Sequence, residues 1–318
     1  MADTNTTIIP AGVDAFYNRV MLQAARPLLL HLKFAQVKDL PRNNSLNIRF
    51  RRYGLLAANT TALTEGVTPS GTQLSYTAVN ATIAQYGDFV TITDVLEFST
   101  LDPILTEMAD KLGQQAANSL DQLCRNVLVA GASEQYASSA TTTDTVTASM
   151  TLTRDEIREA VRTLQGNNAR KITRIVNPST GFNTSPLNAS YVGIIDQNTL
   201  FDLKNEVGWI PVQEYSSQSD VMEGEVGTLD DVRFIMTTNG YSVVGALTTV
   251  HKTLIIAQDF YGISRISGEA LVNIIKPLGS AGTADPLDQR STSGWKATFV
   301  AKVLNSNFGV VIEHGVTA

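Results

Sequence analysis

Chemistry has little to work with in this chain. Its 318 residues hold one cysteine, Cys124, and three histidines, His31, His251 and His314. A single thiol cannot close an internal disulfide, and within a helical pattern it reads as a buried structural residue. The histidines are scattered, with no second ligand-type residue at metal spacing, so neither a metal nor another cofactor is expected. Neither "GKS" nor "GKT" occurs, which leaves no phosphate-binding loop, and "GSAGTA" lacks the third glycine and the acidic residue of a dinucleotide fold. Apolar runs such as "PLLLHL" and "LVNII" fall far below the ~20 residues of a bilayer crossing, so no membrane partnership is expected. The opening "MADTNTTIIPAG" has no basic stretch ahead of an apolar one and is not a secretory signal.

Charge is scarce too. Asp, Glu, Lys and Arg make up 17% of the chain, against ~25% in an ordinary soluble domain. A chain that keeps few charges without a membrane segment is expected to hide surface against other chains. The charges present are also unevenly placed. Residues 1–52 carry eight Lys/Arg against three Asp/Glu (+5), residues 53–150 two against ten (−8), and the remainder fourteen against seventeen (−3), which sum to −6. A basic front and an acidic middle can pair within one chain or between neighbours.

Periodicity supplies the elements. Residues 13–34 read as a helix broken or kinked at Pro27. "NSLNIRFRRY" alternates as a half-exposed strand, with Leu46, Ile48 and Phe50 opposed to Asn47, Arg49 and Arg51. A turn-rich stretch leads into the long alternation "LSYTAVNATIAQYGDFVTIT", whose faces are both mixed. The two strands predict a long hairpin arm with too little core to stand alone. The strongest helix signal follows: Asp102 as N-cap, Pro103 at the first position, apolar residues from Leu105 to Val127 at three- and four-residue steps, and Gly131 at the end. Glu107 with Lys111 and Asp121 with Arg125 are placed as i,i+4 pairs on its outer face. A rod of roughly 40 Å is long for a globular domain, and Gly113 inside the stripe spoils a coiled-coil heptad. Thr153 and Glu156 cap a second helix, and short apolar strands, "KITRIVNP" to "NFGVVIEHG", alternate with turns and one helical piece, "QNTLFDLKN".

Two stretches invite a functional reading. Ser293-Gly-Trp-Lys296 matches the Ser-x-x-Lys of penicillin-recognising enzymes, but that motif belongs at a helix start, and the companion Lys-Thr-Gly is absent, since Leu254 follows Lys252-Thr253. Asp285, Asp288 and Arg290 instead knit a loop to the strand that begins there. Trp295 shares a face with Ala297, Phe299 and Ala301, so Trp295 and Phe299 are assigned to the structural core. Arg49, Arg51 and Arg52 beside Tyr53 look like a basic patch, but the chain is acidic, with a pI near 5.1, and no nucleic-acid motif surrounds them. A strand edge facing solvent or another subunit fits them better.

The order of parts, namely N-terminal helix, hairpin arm, very long helix, second helix, mixed region and closing strands, resembles the major capsid proteins of tailed bacteriophages. These share the Hong Kong 97 (Johnson) fold, an α+β class. "LTEGVTPSGTQLSYTAVNATIAQYGDFVTITD", "IIDQNTLFDLK", "GEVGTLDDVRFIMTTN" and "DPLDQRSTSGWKATFVAKVLN" resemble the enquatro-type (schitovirus) podovirus branch. The resemblance implies an N-arm at 1–44, an extended E-loop at 45–92, and a peripheral domain from 93–170 and 268–318 with a spine helix at 101–131. The axial domain would be 171–267. It implies a structural, non-enzymatic subunit that assembles through hexamers and pentamers into an icosahedral head around double-stranded DNA, in the virion after assembly in the host cytoplasm. Portal and scaffolding proteins are implied partners, with a decoration protein as a further one. No scaffolding-type segment precedes the N-arm, so a separate scaffold or a leader outside this chain is expected. The family's E-loop lies across an adjacent subunit, which would bring Arg49, Arg51 and Arg52 to Asp102, Glu107 and Asp110 of the neighbour. An encapsulin-like nanocompartment shares the fold and stays open at this point; a soluble enzyme or binding module has little support.

Some relatives join subunits by a Lys–Asn isopeptide bond from an E-loop lysine, and here no lysine lies between Lys38 and Lys111. Particles boiled in detergent should therefore run as one band at the subunit mass, near 34.3 kDa; a ladder that resists reduction would refute this.

Overall fold

A computed structural model of the chain describes residues 21, 25, 29–43, 45–54, 56–99, 104–177, 183–215, 221–267, 271–280 and 285–317, with backbone alone for 97–99, 104–106, 174–177 and 183–188. The largest element is a nine-stranded sheet. Its path runs β5 (Ser133–Tyr136), β16 (Gly309–His314), β12 (Thr249–Ile256), β7 (Asn183–Ile195), β10 (Val232–Met236), β9 (Glu225–Leu229) and β8 (Ile210–Pro211). β6 (Ile172–Asn177) flanks β7, and β11 (Tyr241–Val244) flanks β12. Its central strands are apolar on both faces because both faces are covered. Val192, Ile194, Ile235, Leu254, Ile256 and Val311 point into one core. Their neighbours Tyr191, Ile195, Phe234, Ile255, Val310 and Ile312 point into another. The second core is closed by α3 (Arg154–Gly166) through Ile157, Ala160 and Leu164, and by α4 (Gln197–Leu203) through Leu200 and Leu203. Glu156 reaches back to the Thr153 N–H at 3.0 Å, as the capping pattern requires.

The smaller sheet is built around β15 (Arg290–Val303). One flank takes β4 (Ala84–Thr93) along ten paired positions, from Arg290↔Thr93 to Phe299↔Ala84. The other takes β14 (Val272–Lys276), then β13 (Tyr261–Ser264), with β1 (Gln36–Val37) parallel to β13. Ser293 and Lys296 therefore sit inside a strand, not at a helix start. Trp295 is 5% exposed and Phe299 is buried with it in the first core, and the indole N–H donates to Gln115 Oε1 at 3.1 Å.

Between the sheets runs α2 (Ile104–Gly131), preceded by the short α1 (Asp94–Ser99). Its buried face is rich in small residues: Ala109, Ala116, Ala117 and Cys124 alternate with Leu112, Leu120 and Leu128. Gly113 is the closest approach. A Cβ there would lie 2.5 Å from the Met21 carbonyl oxygen, so the glycine that spoils the heptad lets an N-terminal helical turn touch the rod. Two expected surface pairs are not formed. Asp121 is 0% exposed and binds His31, while Arg125 donates to the carbonyls of Asn239 and Gly240 at 2.9 and 3.1 Å. Lys111 turns to Asp110 at 3.4 Å and not to Glu107. The proposed caps Asp102 and Pro103 lie outside the described residues.

The expected helix over 13–34 is helical at Met21 and Ala25 and ends before His31, where a turn begins; the rest lies outside the described residues. The turn has a cause. His31 spends its backbone N–H on Asp121 (2.8 Å), and its carbonyl accepts from the Tyr261 hydroxyl and the Cys124 thiol. Neither group is left for a helical ladder.

The arm is shorter than the alternation suggests. β2 (Asn47–Tyr53) pairs with β3 (Tyr76–Thr82) in a two-stranded ribbon, but the chain breaks at Ile83, and β4 belongs to the body. Period-two patterning cannot see a change of partner. The sheets also cross the sequence-based division: β5 and β16 join the larger sheet from outside 171–267, and β13 leaves that range for the smaller one.

With Trp295 buried on the central strand, Trp295→Ala should cost about 3–5 kcal/mol and give insoluble protein. A soluble variant with unchanged thermal melting would remove Trp295 from the core.

Candidate assembly surfaces

The arm is rooted firmly and covered poorly. At its base Ile48, Phe50 and Ala81 are buried against Val300 and Leu304. The Phe50 ring lies so close to Gly262 that a Cβ there would stand 2.7 Å from it. Lys38 ties the root further, donating to the Arg49 carbonyl at 3.0 Å. Beyond the root, Tyr53, Leu56, Leu63, Val67, Leu74 and Tyr76 are all exposed. Residues 56–74 form no regular structure and share one internal backbone bond, Val67 N–H to Thr64 at 3.2 Å. Backbone that pairs with no strand among the described residues, bearing exposed apolar side chains, is a surface suited to being covered.

The three arginines singled out from the sequence lie along this ribbon and are exposed. Arg49 donates to Asn80 Oδ1 at 3.1 Å, Arg51 stands 5.8 Å over the Tyr76 ring, and none of the three makes an ion pair among the described residues. Of the acidic set, Glu107 is exposed and Asp110 half-buried on the first turns of α2, while Asp102 lies outside the described residues. Among the described residues the fold does not bring the two sets together within one chain.

Sequence reading missed a polar cluster at the edge of the larger sheet. The register of β12 and β16 sets His251 opposite His314, with ring centroids 6.3 Å apart. His251 Nδ1 pairs with Asp196, which also accepts from the hydroxyl and N–H of Thr199 at the start of α4. His314 Nδ1 donates to the Gly315 carbonyl at 2.8 Å, which leaves Nε2, 2.9 Å away, to accept from the Thr253 hydroxyl. That is the neutral tautomer. Burial pushes His314 down to about 4, with the Gly315 hydrogen bond opposing. Burial alone would raise Asp196, but the bonds from His251 and Thr199 outweigh it and hold the carboxyl at about 2. Asp196 ahead of "QNT" was readable as a cap; the cross-strand partners depend on register, which was not. Among the described residues no group of three His, Cys, Asp or Glu side chains could hold a metal. No helix among the described residues is long and apolar enough to cross a membrane.

A helical rod between two sheets, with an arm left exposed beside them, makes an α+β fold of the Hong Kong 97 type. Comparison with solved structures agrees on the fold. The capsid of Ralstonia phage GP4 superposes with a TM-score of 0.70 at 13% identity, over 90% of this chain and 88% of that one. The cyanophage Pam1 capsid gives 0.62 at 15%, over 94% and 93%. The cyanophage P-SCSP1u capsid gives 0.59 at 12%, over 90% and 87%. No curated protein sequence matches. The family model for phage capsid proteins matches residues 76–308, well over half the chain, and the chain belongs to that family. It is a structural component of the virion shell that assembles with copies of itself, and the nanocompartment alternative is not favoured.

His314 titrates lower in the folded chain than its ordinary 6.5, so the unfolded chain takes up the proton first. Stability from this group is complete above about pH 6.5 and lost as pH falls towards about 4, a loss on the order of 3 kcal/mol. Asp196 adds a further loss below its ordinary 3.8, down to about 2. Denaturant melts of the unassembled subunit at pH 7 and 4.5 should show the first loss, and His314→Gln should flatten it. An unchanged pH slope in that variant would contradict the assignment.

Proposed function

We propose that this chain is the major capsid subunit of a tailed phage of the enquatro (schitovirus) branch. Hexamers and pentamers of it close into an icosahedral head around double-stranded DNA, and assembly takes place in the bacterial cytoplasm. Portal and scaffolding proteins join it there, and a decoration protein is a further candidate partner. In this reading residues 1–44 are the N-arm and the ribbon within 45–92 is the E-loop. α2 is the spine of a peripheral domain spanning 93–170 and 268–318, and 171–267 forms most of the axial domain around the capsomer axis. One observation supports the reading above the others: the arm exposes six large apolar side chains, four of them (Leu56, Leu63, Val67 and Leu74) on a stretch, 56–74, that pairs with no strand among the described residues. A monomeric protein has no use for such a surface. Negative-stain microscopy of purified protein tests the reading directly, since closed icosahedral particles are expected and their absence would refute it.

The charge pattern gives a sharper test. Exposed ion pairs contribute only ~0–1 kcal/mol each, so Arg49, Arg51 and Arg52 against Asp102, Glu107 and Asp110 of a neighbour set register and assembly rate more than total stability. Changing the three arginines to glutamate should leave a folded subunit that fails to form shells, with partial rescue when the three acids become lysine. Normal particles from the triple variant at low salt would show that the arm does not meet those acids.

A further inference from the structure

The smaller sheet has an unprotected edge. β4 pairs with β15 along its whole length, and among the described residues β15 is its single backbone partner. The direction of its free groups can be read. The Phe89 N–H is taken by the exposed Asp88 carboxylate at 2.9 Å, so it points away from β15. A Cβ on the facing Gly294 would lie 2.8 Å from the Phe89 Cβ, the close spacing of a non-hydrogen-bonded pair. By alternation the backbone groups that point away from β15 belong to Gln85, Gly87, Phe89, Thr91 and Thr93, with the Phe89 N–H already taken by Asp88. Natural sheets blunt such edges with charged side chains, proline or bulges; β4 has one charge, Asp88, and no proline or bulge, while Phe89 and Val90 are 67% and 45% exposed.

The same chain carries a second open edge of opposite character. β2 has three arginines and no acid, and its outward Arg49 carbonyl is capped by Lys38. By the same alternation Arg51 and Tyr53 face outward further along, where no such cap is present among the described residues. Residues 84–110, from β4 to the first turns of α2, carry six carboxylates and no lysine or arginine. We propose that the free edge of β4 is a strand-addition site for the arm of a second copy, whose β2 pairs along it from Arg51 outward. Donor and acceptor edges are different surfaces of one chain, so the contact is head-to-tail and closes a ring when the rotation allows. The inference rests on the capsid reading and names the backbone groups that its arm contact uses.

Two experiments separate its failure from failure of that reading. In a Cys124→Ser background, Tyr53→Cys is combined in turn with Gly87→Cys, Phe89→Cys or Thr91→Cys, a panel that samples the register. Oxidised particles should give a ladder of linked subunits on a non-reducing gel for at least one pair, and none for Tyr53→Cys alone. Separately, Thr91→Pro removes an outward N–H and spares the β15 ladder, so it should give a folded subunit with at least a tenfold loss of particle yield. Val90→Pro strikes an inward N–H and should impair folding itself. If wild-type particles form, no cysteine pair links and Thr91→Pro assembles normally, strand addition at β4 is overturned and the capsid reading stands. A link formed within one chain, seen as a shifted monomer band, would overturn it as well. Wild-type protein that forms no particles overturns both.

Discussion

Asp121 sits at 0% exposure in the middle of the long helix, and a carboxylate there is tolerable only if donors surround it. Three do: the His31 N–H and His31 Nδ1, each at 2.8 Å, and Asn239 Nδ2 at 3.3 Å. Those donors come from a segment 90 residues earlier and a loop 118 residues later. The cost of burying the group is therefore offset only when rod, N-terminal strap and larger sheet are all in place. Nearby, the Cys124 thiol and the Tyr261 hydroxyl both close on the His31 carbonyl, and burial raises each above its ordinary range, Cys124 with help from the Asp121 charge. The strap so fixed continues into β1 and Lys38, which holds the root of the arm. The arm's direction is thus set from the centre of the body.

How much of this could be read beforehand follows from the range of each signal. Helix and strand periods are local, so the 28-residue rod, the capped α3 and the alternation through Trp295 and Phe299 were all visible. Partner choice is not local. "LSYTAVNATIAQYGDFVTIT" reads as one strand because its alternation barely falters, yet β3 pairs with the arm and β4 with the body. Asp121 and Arg125 at i,i+4 look like a surface pair by the same local logic. Only the tertiary fold shows that one is buried and the other reaches the loop at Asn239. The pairing of His251 with His314 was hidden for the same reason: a sequence spacing of 63 residues conceals a direct cross-strand neighbour. Gly113 is the instructive case, since it was noticed as an anomaly in the heptad and its cause lay in a backbone contact with Met21.

The arm's energetics explain why its sequence is so lean in charge. A two-stranded ribbon has no core beyond its root, and its exposed apolar residues contribute only when another surface removes them from water, at ~25 cal/mol per Å². Each subunit therefore carries stability that is realised by assembly, and the apparent stability of the fold rises with the concentration of copies. Strong ion pairs would make that contact harder to break once misplaced. Three arginines on an otherwise polar and apolar ribbon offer weak, salt-screened guidance instead, which suits a contact that must be found in one register many times over.

An open sheet edge beside an open arm carries an aggregation hazard, because any strand with free donors and acceptors could add to β4. Two features of this chain narrow the choice. Pairing of two β4 strands edge to edge brings the Asp88 carboxylates of both copies together, whereas β2 arrives with arginines. The arm is also held at its root by Phe50 against Gly262 and by Lys38, so it cannot fold back freely to satisfy its own body. A flexible arm would cap its own edge and stay monomeric. An arm held at its root must find a neighbour, and that hold runs back through Lys38 and β1 to the buried polar clasp at Asp121.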